Sequence, residues 1–320
     1  MVLSEILRVA LPIMRNDLNS SAGSGIKKYK YALFEGLSKS KSVELSVLEY
    51  ERIGPIGNPL SFMLGNALIN YSDFDIVHNT EQGFPSTRSM RRAKLITTVH
   101  DLGLILYPHM FVSTTRDYLY SKIEKFSVCA ALRSDHIIAN STQTKSEVTA
   151  QGYTGQISVI PLGVDEKFKS DLRKTHKDFV VGIVSGLAKR KNISAAIDAF
   201  SEVDAKARLE IYGTGQKNDV LMLQEKARTD LRVKLEGFGL PILEAQARGL
   251  PVIIYKHAKI PKEVRKHCIE AENNAHVARI IDDLNSQGYK ESKRKKATLY
   301  ARQFGWDKTV ADTINVYKKV

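Results

Sequence analysis

Two hydrophobic periods alternate along this chain. Short apolar runs of strand-like composition are followed by longer stretches in which apolar residues recur at helical spacing. In the first half the pattern predicts strands at Leu7–Met14, Val43–Leu48, Asp75–Asn79, Leu95–His100, His136–Asn140 and Ile157–Pro161, with helices at Ile26–Leu37, Phe62–Asn70 and Arg116–Arg133. Ser141 or Thr142 is expected to cap a helix running through Ala150, since a side-chain oxygen there accepts from a first-turn amide. The pattern restarts with Phe179–Val184, a continuous apolar run, and predicts further strands at Leu209–Tyr212, Arg232–Leu235 and Val252–Tyr255. Helices are expected at Ile193–Phe200 and Asn218–Ala227 and again towards the C-terminus, while Gly213 and Gly215 make a turn. Such alternation gives α/β sheets of parallel strands. Two doubly wound domains with a hinge near Leu162–Lys174 are the simplest arrangement, and a ligand is expected in the cleft at the carboxyl ends of strands from both halves.

Composition narrows the class. The chain has 320 residues, 43% hydrophobic and 26% charged. No apolar run approaches the ~18 residues that span a bilayer, and the N-terminus lacks the basic region of a signal peptide. Cys129 and Cys268 belong to no Cys-x-x-Cys pair, so a reducing, cytoplasmic setting is expected. The net charge of +13 is uneven: 17 basic and 14 acidic residues precede position 161, and 31 and 21 follow it. This bias suits phosphates or anionic lipid. No nucleic-acid motif accompanies it, so no nucleic-acid partner is expected. Arg88, Arg91, Arg92, Lys94, Lys122 and Lys125 make peripheral contact with an anionic membrane a further expectation.

The richest stretch is residues 236–251, Glu-Gly-Phe-Gly-Leu-Pro-Ile-Leu-Glu-Ala-Gln-Ala-Arg-Gly-Leu-Pro. A glycine-flanked loop leads into a short helix, with Pro241 suited to the first helical position and Gly249 to a left-handed C-cap. Loop amides and a helix N-terminus favour an anion, and Glu236 and Glu244 stand at the two ends of the unit. Three other strand-end loops carry candidate chemistry. Asn19–Gly25 offers Gly23 and Gly25 for close approach to phosphates; Lys28 stands where a dinucleotide fingerprint needs its third glycine, which disfavours NAD. Thr98-Val99-His100-Asp101 places an imidazole at a strand end. Lys189-Arg190-Lys191-Asn192 sets charge ahead of a helix, with Asn192 as its expected N-cap. Asp73-Phe74-Asp75 spells a metal-binding motif, but it precedes a strand and reads as flanking acids. Asn140-Ser141-Thr142 spells a glycosylation sequon that has no secretory context.

In series, these segments resemble the retaining glycosyltransferases of the GT-B fold, sequence family four. The resemblance rests on Glu236–Val252, Asp75–His78, Thr98–Leu102, Ser134–Ser141, Ile160–Asp165, Lys189–Asn192 with Ala195–Phe200, and the closing Phe304-Gly305-Trp306, in family order over most of the chain. It implies a first domain over 1–163 for the acceptor, a second over 164–303 for the nucleotide sugar, and a last helix over 304–320 returning to the first. It assigns Glu236 to the donor sugar, and Gly237, Phe238, Gly239 and Leu240 to a donor-binding loop. Glu244 would bind the ribose. Lys191 with Arg190 would stabilise the leaving diphosphate, His100 would lie near the transferred sugar, and Gly23 and Gly25 near the phosphates. No metal or other cofactor is expected, and GDP-mannose is the candidate donor. The acceptor would be the hydroxyl of a glycan, lipid or protein-linked sugar.

Two departures temper this. Gly186 replaces the family's diphosphate arginine. Leu235 also runs directly into Glu236, where about 25 residues of helix and strand are normal. Arg232–Leu235 is expected to fill the vacated position beside Phe179–Val184. The competing reading is a degenerate, non-catalytic binder of nucleotide or glycan; an epimerase on the same fold is disfavoured by the paired glutamates.

Overall fold

The computed structural model describes residues 6–15, 17–18, 25–50, 69–82, 92–108, 115–169, 179–230, 232–236 and 242–320. The chain divides into two compact units, 1–163 with 304–320 and 164–303. Most of the predicted helix at Phe62–Asn70 lies outside the described residues.

Unit 1 runs β1 (Leu7–Met14), α1 (Gly25–Ser38), β2 (Val43–Tyr50), β3 (Ile76–Asn79), β4 (Lys94–Val99), α2 (Gly103–Leu106), α3 (Thr115–Ala131), β5 (His136–Ala139), α4 (Thr142–Ala150) and β6 (Gln156–Val159). These strands form one parallel sheet in the order β2-β1-β3-β4-β5-β6. Alternation along β1 explains its burial. Val9, Leu11 and Ile13 pack with Tyr29, Leu33 and Leu37 of α1, while Ala10 packs with Tyr71, Val77 and Leu95. Pairing of β1 with β2 runs to Met14, but its register with β3 covers only Val9 and Ala10. Pro12 lies beyond that register, where its missing N–H removes no rung on the β3 side. The chain order reverses between β1 and β3, the position where doubly wound sheets open a crevice.

Unit 2 runs β7 (Phe179–Val184), α5 (Ile193–Ser201), β8 (Ala207–Tyr212), α6 (Lys217–Ala227), β9 (Val233–Glu236), α7 (Ile242–Ala247), β10 (Ile253–Tyr255), α8 (Lys262–Arg265), β11 (Ile269–Ala271), α9 (Asn274–Gln287) and α10 (Glu291–Ala301). Its core gathers Ile193, Ile197, Phe200, Leu209, Ile211, Ala278 and Ile281. The last helix, α11 (Trp306–Tyr317), belongs to unit 1, where Val310 packs so closely on α1 that a Cβ on Gly36 would lie 2.5 Å from it.

The fate of residues 232–235 is a correction. The sheet order is β7-β8-β9, so β9 lies at the edge, one strand removed from β7 rather than beside it. Among the described residues β7 pairs with β8 alone, and β10 and β11 form a separate pair. Local geometry gives the reason. The α6 crossover follows β8 directly, and consecutive strands of such units settle side by side. Arg232 then fixes the entry to β9: its guanidinium donates to the Val203 carbonyl at 2.9 Å, pairs with Asp230 at 2.8 Å and lies 4.8 Å from the centre of the Phe200 ring. The vacated position beyond β7 is three strand spacings from β9, about 14 Å.

Candidate functional site

In unit 1 the candidate residues converge on the carboxyl ends of β1, β3 and β4. His100 follows β4 and is only 7% exposed. Its Nε2 lies 2.9 Å from the Thr80 carbonyl oxygen. A carbonyl only accepts, so Nε2 carries hydrogen and the lone pair of the neutral ring resides on Nδ1. Burial lowers the imidazole pKa; the Thr80 carbonyl, Glu81 and Asp101 oppose that shift, and Lys30 adds to it. The ring is therefore a neutral hydrogen-bond acceptor at neutral pH. Its backbone is held from both sides. The His100 N–H donates to Gln82 Oε1 at 3.2 Å, Gln82 Nε2 donates to the Asp101 carbonyl at 2.9 Å, and Asn140 Nδ2 donates to the His100 carbonyl at 2.8 Å. The Asn140-Ser141 pair is thus structural: Ser141 caps α4 by accepting from the Thr144 N–H, and Asn140 ties down the histidine loop.

A buried polar chain lies behind this ring. Tyr29 meets His100 edge-on at 5.2 Å and bonds Thr98 Oγ1 at 2.9 Å; Thr98 Oγ1 also bonds His78 Nε2 at 2.8 Å; His78 Nδ1 bonds the Tyr317 hydroxyl at 2.6 Å. The next residue of α1, Lys30, donates to Asp17 and Glu81, both at 2.7 Å. Sequence reasoning missed Tyr29, Lys30, Asp17 and Glu81 as site residues. The one signal was a lysine beside the apolar stripe Tyr29-Leu33-Leu37. Asp75 has a structural partner, accepting from the Arg8 backbone N–H at 2.8 Å and from its guanidinium at 3.0 Å.

In unit 2, two strand-end loops pack directly on each other. The Ser185 N–H donates to the Tyr212 carbonyl and the Leu187 N–H to the Thr214 carbonyl. A Cβ on Gly213 would lie 1.8 Å from the Ser185 carbonyl oxygen, so only glycine fits this approach. Lys189–Lys191 form a single 3-10 turn that ends in Asn192. Against expectation, Asn192 does not cap α5 with its side chain. Its backbone is left-handed, with φ 53°, and asparagine tolerates this conformation better than most residues. Lys191 is exposed. Gly186 is exposed, and among the described residues a Cβ there would meet only the Thr214 carbonyl, at 3.9 Å.

The glutamate unit spans β9 and α7. Glu236 ends β9 opposite Tyr212, and Glu244 is buried in the first turn of α7. The helix closes as its sequence suggests. Gly249 has φ 75°, its N–H donates to the Gln246 carbonyl, and the Leu250 N–H donates to the Ala245 carbonyl, which together make a Schellman cap. Gly25 opens α1, with nothing among the described residues within 4 Å of where a Cβ would stand. Gly23, Gly237, Phe238, Gly239, Leu240 and Pro241 lie outside the described residues, as do the side chains of Arg190 and Glu236. His100 thus belongs to unit 1, and Lys191, Glu236 and Glu244 belong to unit 2.

Comparisons with known proteins agree with this architecture. The family model Glycosyltransferase Family 4 matches residues 42–168, and Glycosyl transferases group 1 matches residues 222–304. The chain is 36% identical over 86 residues to an O-antigen chain mannosyltransferase B of Escherichia coli, covering 26% of this chain and 23% of that protein. It is 37% identical over 87 residues to a D-inositol 3-phosphate glycosyltransferase of Streptomyces bingchenggensis, covering 26% and 19%. The similarity therefore spans less than a quarter of either relative's length. Among solved structures, Anabaena HepE with UDP and glucose superposes with a TM-score of 0.70 at 16% identity, covering 98% of this chain and 100% of HepE. A Rickettsia africae glycosyltransferase gives 0.65 at 14% identity, covering 98% of each chain. The fold is GT-B, and the chain belongs to the group 1 glycosyltransferases of family 4.

Proposed function

We propose that this chain is a retaining, metal-independent glycosyltransferase that moves a hexosyl group from a nucleotide diphosphate sugar to a hydroxyl acceptor. One observation carries the reading: Glu236 at a strand end and Glu244 buried in the first turn of a capped helix, inside the segment that the group 1 model matches. Unit 2 takes the donor. Glu244 accepts from the ribose hydroxyls and Glu236 from the donor sugar. Lys191 and Arg190 offset the charge that builds on the diphosphate as its oxygen leaves the anomeric carbon. Unit 1 takes the acceptor, whose oxygen bonds to that carbon while its proton departs with the diphosphate. The neutral His100 accepts a hydrogen bond from the transferred sugar at Nδ1. The mannosyltransferase relative favours a mannosyl donor, for which GDP-mannose is the candidate, whereas HepE was solved with UDP and glucose.

Peripheral contact with anionic lipid belongs to the same reading. Helix α3 exposes Tyr118 and Phe126 alongside Lys122 and Lys125. No helix among the described residues is long and apolar enough to cross a membrane.

The test is a panel of GDP-mannose, UDP-glucose and UDP-N-acetylglucosamine, read by donor hydrolysis and thermal shift on wild type and Glu244→Ala. Stabilisation by one nucleotide sugar that Glu244→Ala abolishes supports the reading, and stabilisation by none defeats it. A second reading, a non-catalytic member that still binds nucleotide or glycan, is favoured by the edge position of β9. Nucleotide-dependent stabilisation without hydrolysis or transfer would select it.

A further inference from the structure

Unit 1 holds an ion-paired cluster that the proposed transfer leaves unused. Asp17 lies just past β1, Glu81 just past β3, and Lys30 reaches both from α1. Lys30 is 2% exposed. Burial works against its charge, but Glu81 and Asp17 outweigh that and hold its pKa above the usual lysine value. The carboxylate oxygens divide unequally. Asp17 gives Oδ2 to Lys30 and Oδ1 to Lys27, at 3.6 Å. Glu81 gives only Oε1 to Lys30; its Oε2 has no partner among the described residues, and its side chain is 20% exposed.

The position of this oxygen gives it meaning. β1 and β3 are the neighbours between which the chain order reverses, and their pairing stops at Ala10, well short of the carboxyl end of β1. On the adjacent strand end stands His100, nine-tenths buried, whose Nδ1 also has no partner among the described residues. Tyr29, the residue before Lys30, holds that ring edge-on. Consecutive residues of one helix thus fix two hydrogen-bond-accepting atoms, on neighbouring strand ends, at the switch point of the sheet.

We propose that Glu81 is the acceptor-recognition residue: its Oε2 accepts hydrogen bonds from hydroxyls of an uncharged sugar, and Lys30 is the positioning residue that aims it. The inference rests on the glycosyltransferase reading and adds the chemistry of the acceptor. A phosphorylated or carboxylated sugar at this point would set an anion against a carboxylate, so Glu81 selects neutral polyols.

Ligand-observed saturation-transfer NMR tests this without any turnover, with methyl α-mannopyranoside, methyl α-glucopyranoside and mannose 6-phosphate as probes. Wild type is expected to bind at least one neutral glycoside, and Glu81→Gln to weaken that binding about tenfold, as loss of one charge-assisted hydrogen bond does. Mannose 6-phosphate should bind more weakly than the neutral glycoside. Asp17→Asn removes a carboxylate from Lys30 but no presented oxygen; it should lower the denaturation midpoint while changing glycoside affinity less than about twofold. Trp306 emission confirms that each variant is folded. Equal binding by wild type and Glu81→Gln, tighter binding of mannose 6-phosphate, or no binding of either neutral glycoside by wild type would each overturn the proposal. Absence of turnover with every nucleotide sugar would instead defeat the reaction and leave this binding result standing by itself. Where turnover is measured, Glu81→Gln should raise the acceptor KM far more than it lowers kcat.

Discussion

Acidification from pH 8 to pH 5 should destabilise unit 1, and the cause is histidine. His78 is fully buried between the Tyr317 and Thr98 hydroxyls. Burial, with a smaller contribution from the neighbouring His100, pushes its pKa down to about 3. In the unfolded chain the same imidazole takes up a proton near pH 6.5. Between those values the unfolded state binds more protons than the native one, so stability rises with pH: it is fully present above pH 6.5 and is lost progressively towards pH 3. For His78 alone, moving from pH 8 to pH 5 removes about 2 kcal/mol. His100 and His136 are shifted in the same direction, each chiefly by burial, and steepen the loss. Asp75, held below the usual carboxylate range by its bond to Arg8, adds nothing to the loss between pH 8 and pH 5. The assay is simple because the chain has one tryptophan, Trp306, and it packs against the core of unit 1. Its emission during urea denaturation, followed from pH 8 to pH 5, should show a midpoint that falls by roughly 1 M. His78→Gln should flatten the slope while lowering the midpoint at pH 8. A wild-type midpoint independent of pH over that range, or one that rises on acidification, would refute the burial argument.

Three more outcomes follow from packing. Gly163→Ala would set a Cβ 2.5 Å from the Trp306 backbone nitrogen and indole ring; a loss of about 1–3 kcal/mol, with altered Trp306 emission, is expected from such overpacking. Gly249→Ala would force an L side chain to φ 75° and should cost ~1 kcal/mol, seen as faster amide exchange across residues 242–247 with little change in unit 1. In β7 the Ser185 N–H donates towards β8, so by alternation the Val181 and Ile183 amides do likewise, while Val180, Gly182 and Val184 point away. Hydrogen exchange should therefore be fast at Val180, Gly182 and Val184 and slow at Val181 and Ile183; uniform protection would mean that the second edge of β7 is covered.

The parts legible in the sequence were those with local causes. Phe179–Val184 and Leu7–Met14 are strands at the predicted bounds, because short, mostly apolar runs bounded by loops suit buried parallel strands. Ser141 and Gly249 cap their helices because capping depends only on the residues of one turn. Asn192 defeated the same logic, since the 3-10 turn ahead of it imposes a left-handed backbone that carries its side chain away from the cap. The Lys30 cluster was illegible for a different reason. Its partners lie 13 and 51 residues away, and nothing in the neighbourhood of Asp17 or Glu81 marks either as a partner of a buried amine. His100 was found by its place after a strand, but the Tyr29 contact and the Thr80 bond that fix its tautomer depend on how strands and helix come together.

The direct junction of Leu235 and Glu236 bears on the chemistry through which parts of the donor site depend on a strand and which on a helix. Glu236 leaves from the end of β9, so its starting point lies at the edge of the sheet. Glu244 does not depend on β9. It is fixed by α7, which ends in its own glycine cap, joins α10 through the bond from Thr298 Oγ1 to the Gln246 carbonyl, and holds the turn beyond α8 through the bond from Gln246 Nε2 to the Lys266 carbonyl. Lys191 likewise depends on β7, β8 and the glycine-permitted contact between their loops, none of which needs a strand on the far side of β7. Nucleotide recognition by Glu244 and Lys191 is therefore the sturdier half of the proposed site. Alignment of the donor sugar by Glu236 is the half exposed to the shortened connection. The short junction should accordingly weaken transfer more than nucleotide binding, and a chain that binds the nucleotide well yet turns it over slowly is the behaviour this arrangement favours.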